Sequence, residues 1–137
     1  MAAPARKHQV ACIILYDSRG AFILQHRDDD CENLPGFWSF FGGSVEEGET
    51  TEEAMRRESW EELAHAPKAY SLFLTEEQKT LTISFYVERC EDKSHLRLGE
   101  GQGWGWYTVE ETEQLKMREN DREILRRLSA ALSFPKA

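Results

Sequence analysis

Glu58, Glu61 and Glu62, with Arg57 directly before them and Glu49 a short way upstream, are the residues whose types and spacing can do chemistry in this chain. In a helix over residues 51–63 they fall at i, i+3 and i+4, which stacks three carboxylates on one face within about one turn. Like charges so placed destabilise a helix by roughly 0.2–0.5 kcal/mol per pair, so a cation is expected among them. Arg57 can meet Glu53 and Glu61 at i±4, but one guanidinium cannot neutralise three acids. A hard divalent cation can, because Mg²⁺ takes oxygen ligands and commonly reaches phosphate through one or two carboxylates. The plain alternative is a solvated acidic face, since eight of residues 46–62 are Glu.

What precedes the helix separates these two readings. Gly42 and Gly43 follow a short aromatic and apolar run at 37–41, and only a loop stands between them and the helix. Glycine there permits close backbone approach or a positive φ. Strand, glycine turn, loop and acidic helix together resemble the box of the Nudix hydrolase family, G-x5-E-x7-R-E-U-x-E-E-x-G-U, in which U is a bulky aliphatic residue. Gly43, Glu49, Arg57, Glu58, Glu61 and Glu62 match it in register, whereas Ser59 and His65 replace aliphatics and Ala64 replaces the glycine. The departures touch packing and the helix end rather than the charged positions. Without a glycine to take the left-handed cap, the helix is expected to run a residue or two past Leu63.

The resemblance covers most of the chain and is strongest to MutT-type members that act on nucleoside triphosphates. Residues 98–102, 104–106 and 109–111 look like the family's loop, strand and short helix after the long central strand. Glu100 then matches a loop carboxylate used for metal binding or water activation; read alone, it is a turn glutamate in a glycine-rich loop. The resemblance implies hydrolysis of a phosphoanhydride in a nucleoside diphosphate linked to a group X, with water as nucleophile and no covalent intermediate. Glu58, Glu61, Glu62, Glu100 and the Gly42 carbonyl would hold Mg²⁺, with Mn²⁺ as a substitute, to acidify water and neutralise developing charge. Arg57 would orient the glutamates, Glu49 would serve structurally, and either Glu58 or Glu100 would be the general base. A nucleoside triphosphate, ordinary or oxidised, is the first substrate expected, cleaved to monophosphate and pyrophosphate. Nucleotide sugars, ADP-ribose, dinucleoside polyphosphates and RNA 5′ ends are the alternatives. Two rivals of another class are a nucleotide-binding regulator without catalysis and an acidic interaction protein without a ligand.

Further residues carry two readings each. Arg27 corresponds to a family arginine that contacts phosphate, and equally suits a surface arginine lying over the sheet edge. Asn120 stands where MutT-type members read a purine edge, but also directly before a helix, where asparagine is a good N-cap. Trp38, Trp104 and Trp106 could stack on a base, although strand aromatics more often pack in a core. His8, His26, His65 and His95 have no ligand spacing and are assigned no chemistry, and nothing suggests a Ser-His-Asp nucleophile. The run Asp28-Asp29-Asp30 lacks the glycine and glutamate of a calcium loop.

The elements that must position these residues read as an alternation. Residues 9–16 and 21–26 form a hairpin about the turn at 17–20, residues 70–74 and 81–88 are strands, and Leu81, Ile83, Phe85 and Val87 alternate with polar or amphipathic residues. Ile124, Leu125, Leu128 and Leu132 stripe a helix over 121–132. Helices among strands suggest a mixed sheet packed between helical layers, and the Nudix resemblance implies the same α/β/α sandwich. With 137 residues the chain suits a single domain, with short tails at 1–7 and 134–137. A net charge of −8 argues against general nucleic-acid or acidic-membrane binding and means that a polyphosphate needs bridging cations. Three cysteines without motif spacing and the lack of a leader point to the reduced cytoplasm, and no apolar run nears the roughly 20 residues of a membrane span. A homodimer is compatible with the family resemblance.

Overall fold

The computed structural model describes residues 7–99 and 101–132. Most of the expected tails, and Glu100, lie outside the described residues. Within them run strands β1 (His8–Tyr16), β2 (Phe22–His26), β3 (Trp38–Ser39) and β4 (Phe41–Ser44), helix α1 (Thr51–Leu63), strands β5 (Ser71–Glu77), β6 (Leu81–Arg89) and β7 (Gly103–Tyr107), a 3-10 turn (Glu111–Gln114) and helix α2 (Glu119–Leu132).

β1 organises the sheet. It runs parallel to β6 along its whole length, from His8↔Leu81 to Tyr16↔Arg89, and its other edge is antiparallel to β4 at Val10 to Ile13. β2 leaves β1 after Tyr16↔Phe22 and pairs instead with β3 and β7, so the sheet opens into two parts joined at the hairpin. Asp17 closes that hairpin: its Oδ1 accepts from the N–H groups of Arg19 and Ala21, both at 3.0 Å, and its Oδ2 pairs with Lys93 at 2.7 Å.

Strand periodicity divides the core into two layers. Cys12, Ile14, Phe22, Leu24, Ile83, Phe85 and Val87 face Ile124, Leu125 and Leu128 of α2. Ala11, Ile13, Leu15, Ile23, Phe41 and Tyr86 face Ala54, Met55 and Leu63 of α1. The helices therefore cover opposite faces of one mixed sheet, the α/β/α sandwich expected from the alternation.

Three local expectations are corrected. The diglycine is not a turn, for Gly42 and Gly43 lie inside β4 opposite Cys12 and Ala11. Close approach, not turning, requires them. Helix α1 ends at Leu63 as its predicted span has it, not later, because Ala64 itself adopts the left-handed conformation at φ 54°, ψ 32°. Its N–H bonds to the Trp60 carbonyl at 2.9 Å and that of His65 reaches the Ser59 carbonyl, and these bonds hold an alanine where glycine is the easier residue. Asn120 is not the cap of α2 but sits in its first turn, where its amide donates to both Glu76 oxygens at 2.9 and 3.2 Å.

Candidate functional site

The start of α1 is fixed by a reciprocal cap. Thr50 Oγ1 accepts from the Glu53 N–H and the Glu53 carboxylate accepts from the Thr50 N–H, both at 3.0 Å. Glu53 is thereby withdrawn from Arg57. The spacing Thr50-x-x-Glu53 carries this signal in the sequence, and it went unread there.

One turn on, Arg57 ties the loop, the helix and β4 together. Its Nε and Nη2 grip the Glu49 carboxylate at 2.7 and 3.0 Å, and Nη1 donates to Glu58 at 2.9 Å and to Glu61 at 3.3 Å. Nη2 also donates to the Ser44 carbonyl at 3.0 Å. Paired donors in a planar fork hold a carboxylate in a set orientation. The Arg57 hydrogen bonds, helped by the Glu46 N–H, hold the Glu49 carboxyl down at about 2. Bonding to Glu49, with that to Glu58, raises the arginine in turn, so it keeps its charge.

The stacked carboxylates differ in surroundings. Glu62 is buried, the Glu58 side chain is 16% exposed and that of Glu61 55%, so the row runs from the sheet toward water. Glu58 lies against β4, where a Cβ on Gly43 would collide with its carboxylate. A Cβ on Gly42 would instead strike the Ala11 carbonyl and the Cys12 Cα of β1. The segment leading to residue 100 is docked on the same helix end: the Gly99 N–H donates to the Glu62 carbonyl at 2.7 Å and the Arg97 N–H to that of Leu63 at 2.9 Å. Glu100 itself, predicted as a metal ligand or base, lies outside the described residues.

Beside the diglycine strand opens a groove of about 400 Å³. Gly42 and Gly43 form its wall next to Glu58, and Cys12, Gln25, Ser39, Phe85, Arg118 and Asp121 are among its lining. Burial, reinforced by the negative charge of Asp121, Glu62 and Glu58, pushes the Cys12 thiol up to about 12, so it stays protonated on the groove floor. Asp121 is buried and held by Arg118 through contacts of 3.1 and 3.2 Å; its carboxyl is raised because burial outweighs that pairing. The Ser39 hydroxyl is buried without a hydrogen-bond partner among the described residues. Arg27 lines the same groove, with its Nε donating to the Asn33 carbonyl at 2.8 Å.

The structure thus joins Arg57 to Glu58 and Glu61, keeps Glu62 in the same helical turn, puts Gly42 next to the glycine that Glu58 lies against, and sets Arg27 along the groove that Gly42 lines. Asn120 is held at Glu76 instead. The tryptophans are engaged elsewhere: Trp38 stacks on His26 at 4.5 Å, Trp106 lies under the Lys93 ammonium at 3.8 Å, and Trp104 packs against the α1-side core. Sequence reasoning missed Asp121. Its signal was position, because residue 121 extends the stripe of 124, 125, 128 and 132 by one turn and so puts a carboxylate on the buried face. The four histidines are not all unrelated either, for His65 Nδ1 and His95 Nε2 meet at 2.8 Å.

Comparison with known proteins agrees with this architecture. The NUDIX domain family model matches residues 6–128. The nucleoside triphosphatase NudI of Escherichia coli O139:H28 is 41% identical over 71 residues, 52% of this chain and 46% of that protein, and NudI of Shigella flexneri matches to the same extent. The chain spans about half the length of the curated relatives it matches. Among solved structures, a MutT from a study of the Aliivibrio salmonicida and Vibrio cholerae proteins superposes with a TM-score of 0.78 at 24% identity, over 92% of this chain and 99% of that one. An Ap4A hydrolase of Caenorhabditis elegans gives 0.73 at 21% identity, over 92% and 98%. At these identities the likeness is one of fold.

Proposed function

The chain belongs to the NUDIX domain family, and from that premise we propose that it is a single-domain, Mg²⁺-dependent hydrolase of a nucleoside diphosphate linked to X, with a nucleoside triphosphate as the favoured substrate and monophosphate and pyrophosphate as products. One observation carries the reading: Glu58, in the same helical turn as Glu61 and Glu62, lies against the strand that walls an open groove. The NudI relatives, named as nucleoside triphosphatases, support the substrate class.

The donor set fits a hard cation. Arg57 is shared among Glu49, Glu58 and Glu61, so one guanidinium is spread over three box carboxylates and an excess of negative oxygen is left among them. Glu58, Glu61, Glu62, the Gly42 carbonyl and Glu100 would hold Mg²⁺, and Mn²⁺ would substitute because it takes similar oxygen ligands. When bound, the cation supplies charge neutralisation on the diphosphate and acidification of a water. The protein supplies position. Arg57 fixes the faces that Glu58 and Glu61 present, and the Glu49 bridge keeps the guanidinium from swinging away. Either Glu58 or Glu100 takes the proton from water. A groove of about 400 Å³ lies within the roughly 300–1,000 Å³ typical of small-molecule sites and suits the nucleoside, with Ser39, Gln25 and Asp121 as polar contacts and Arg27 toward phosphate. Asn120 reaches a base only by releasing Glu76.

The test is a nucleotide panel with Mg²⁺ or Mn²⁺, scored for phosphate against pyrophosphate in ¹⁸O-labelled water. Glu61→Gln and Glu62→Gln are expected to lower turnover by about 100-fold or more with circular dichroism unchanged. Full turnover in either variant would overturn the assignment.

A further inference from the structure

At the far end of α1 from its capping box, three residues from three elements converge. His65 follows the helix cap, Cys90 follows β6, and His95 lies on the segment between β6 and β7. One ligand atom from each lies within 4.8 Å of the other two. His65 and Cys90 are buried and His95 is exposed, at the edge of a cavity of about 500 Å³ that Trp60 and Glu88 also line. The cavity gives an entry path.

Glu88 fixes the chemistry of this cluster. Its Oε1 lies 2.6 Å from His65 Nε2, while its Oε2 accepts from the N–H groups of Lys68 and Ala69 at 2.7 and 2.6 Å. A carboxylate only accepts, so Nε2 carries a proton, and in the neutral ring Nδ1 turns a lone pair toward His95. Carboxylate on one nitrogen and metal on the other is the arrangement that orients ligating histidines. We propose that His65 Nδ1, His95 Nε2 and Cys90 Sγ form a second metal site, for a borderline-soft divalent cation of the Zn²⁺ class, separate from the oxygen site of the box. Imidazole and thiolate suit such a cation as carboxylates suit Mg²⁺. Metal bonds of about 2.0–2.3 Å set tetrahedral donors on the order of 3.5 Å apart, a side-chain adjustment from the present spacing. Three protein ligands leave the fourth position to water. The Cys90 thiol loses its proton on binding, and the His95 proton moves from Nε2 to Nδ1, so one proton leaves per cation. Occupancy staples the end of α1 to β6 and to the segment that docks Gly99 on Glu62.

Cobalt(II) titration of the full chain separates this site from the box, since a thiolate-to-metal charge-transfer band cannot arise from the box oxygens. One equivalent is expected to give that band, and Cys90→Ser to abolish it. Glu88→Gln should weaken binding by roughly 10- to 100-fold. His95→Ala changes an exposed residue, so it keeps the question answerable if the buried variants misfold; it should lose the Zn²⁺-dependent rise in melting temperature while Mg²⁺-dependent turnover is unchanged. Binding without the thiolate band, or His95→Ala with wild-type cobalt affinity, would overturn the proposal and leave the hydrolase reading untouched.

Discussion

Adjacent glycines in β4 do different work. A side chain at Gly43 meets only the end of a flexible glutamate, whereas one at Gly42 meets backbone, with the Cys12 Cα at 2.7 Å. Gly43→Ala is therefore expected to change stability by less than about 1 kcal/mol yet cost roughly 10- to 100-fold in turnover, because it displaces Glu58 from the position the proposed cation site requires. Gly42→Ala should lose on the order of 1–3 kcal/mol through overpacking. Melting curves beside steady-state rates separate the two, and equal damage by both routes would contradict the contrast. At this scale the sequence disclosed the box, since carboxylates drawn from one helical turn must keep a fixed spacing. It concealed the pairing of His65 with His95, which lie 30 residues apart and meet only because the end of β6 and the segment after it reach the end of α1. Asp121 was hidden differently: an acid at a helix start reads as ordinary favourable charge near the N-terminus.

Elements were legible where periodicity spoke. The hairpin, β6 and α2 followed from alternation or stripe, and their edges moved by a residue or two because fraying and pairing set them; α1 followed from the register of its acids and kept its expected span. β4 was not legible, since two glycines argue against a strand on propensity and only the ladder to β1 overrides it. The end of α1 was misjudged because an alanine was not expected to accept positive φ. That conformation costs a residue with a Cβ about 1–2 kcal/mol, so Ala64→Gly should raise stability by about 1 kcal/mol after glycine's greater unfolded-state entropy is subtracted. Chemical denaturation would reveal it as a higher midpoint at unchanged slope. A lower midpoint would mean that the alanine methyl group packs against something needed.

For the molecule as a whole, the Arg57 knot joins loop, sheet and helix, so its strength registers in global stability. Glu49 titrates at about 2 in the folded protein against an ordinary 4.5, chiefly because Arg57 donates to its carboxylate. A depressed folded value contributes stability that is complete above the unfolded value and disappears as pH falls through the folded one. In metal-free buffer, the stability difference between wild type and Glu49→Gln should hold steady from neutral to about pH 5 and then shrink toward pH 2. A difference independent of pH would show that shape rather than charge sustains the contact. The handover of one extended segment from β2 to β1 has its own consequence. Phe40 belongs to the α2 layer and Phe41 to the α1 layer, so the face turned toward Glu58 is set by parity along this stretch. Inserting one residue between them would keep every functional group in the chain and turn Gly43 away from its glutamate. Descendants of this protein are free to lengthen the connections on either side, but can alter the stretch itself only by even numbers of residues.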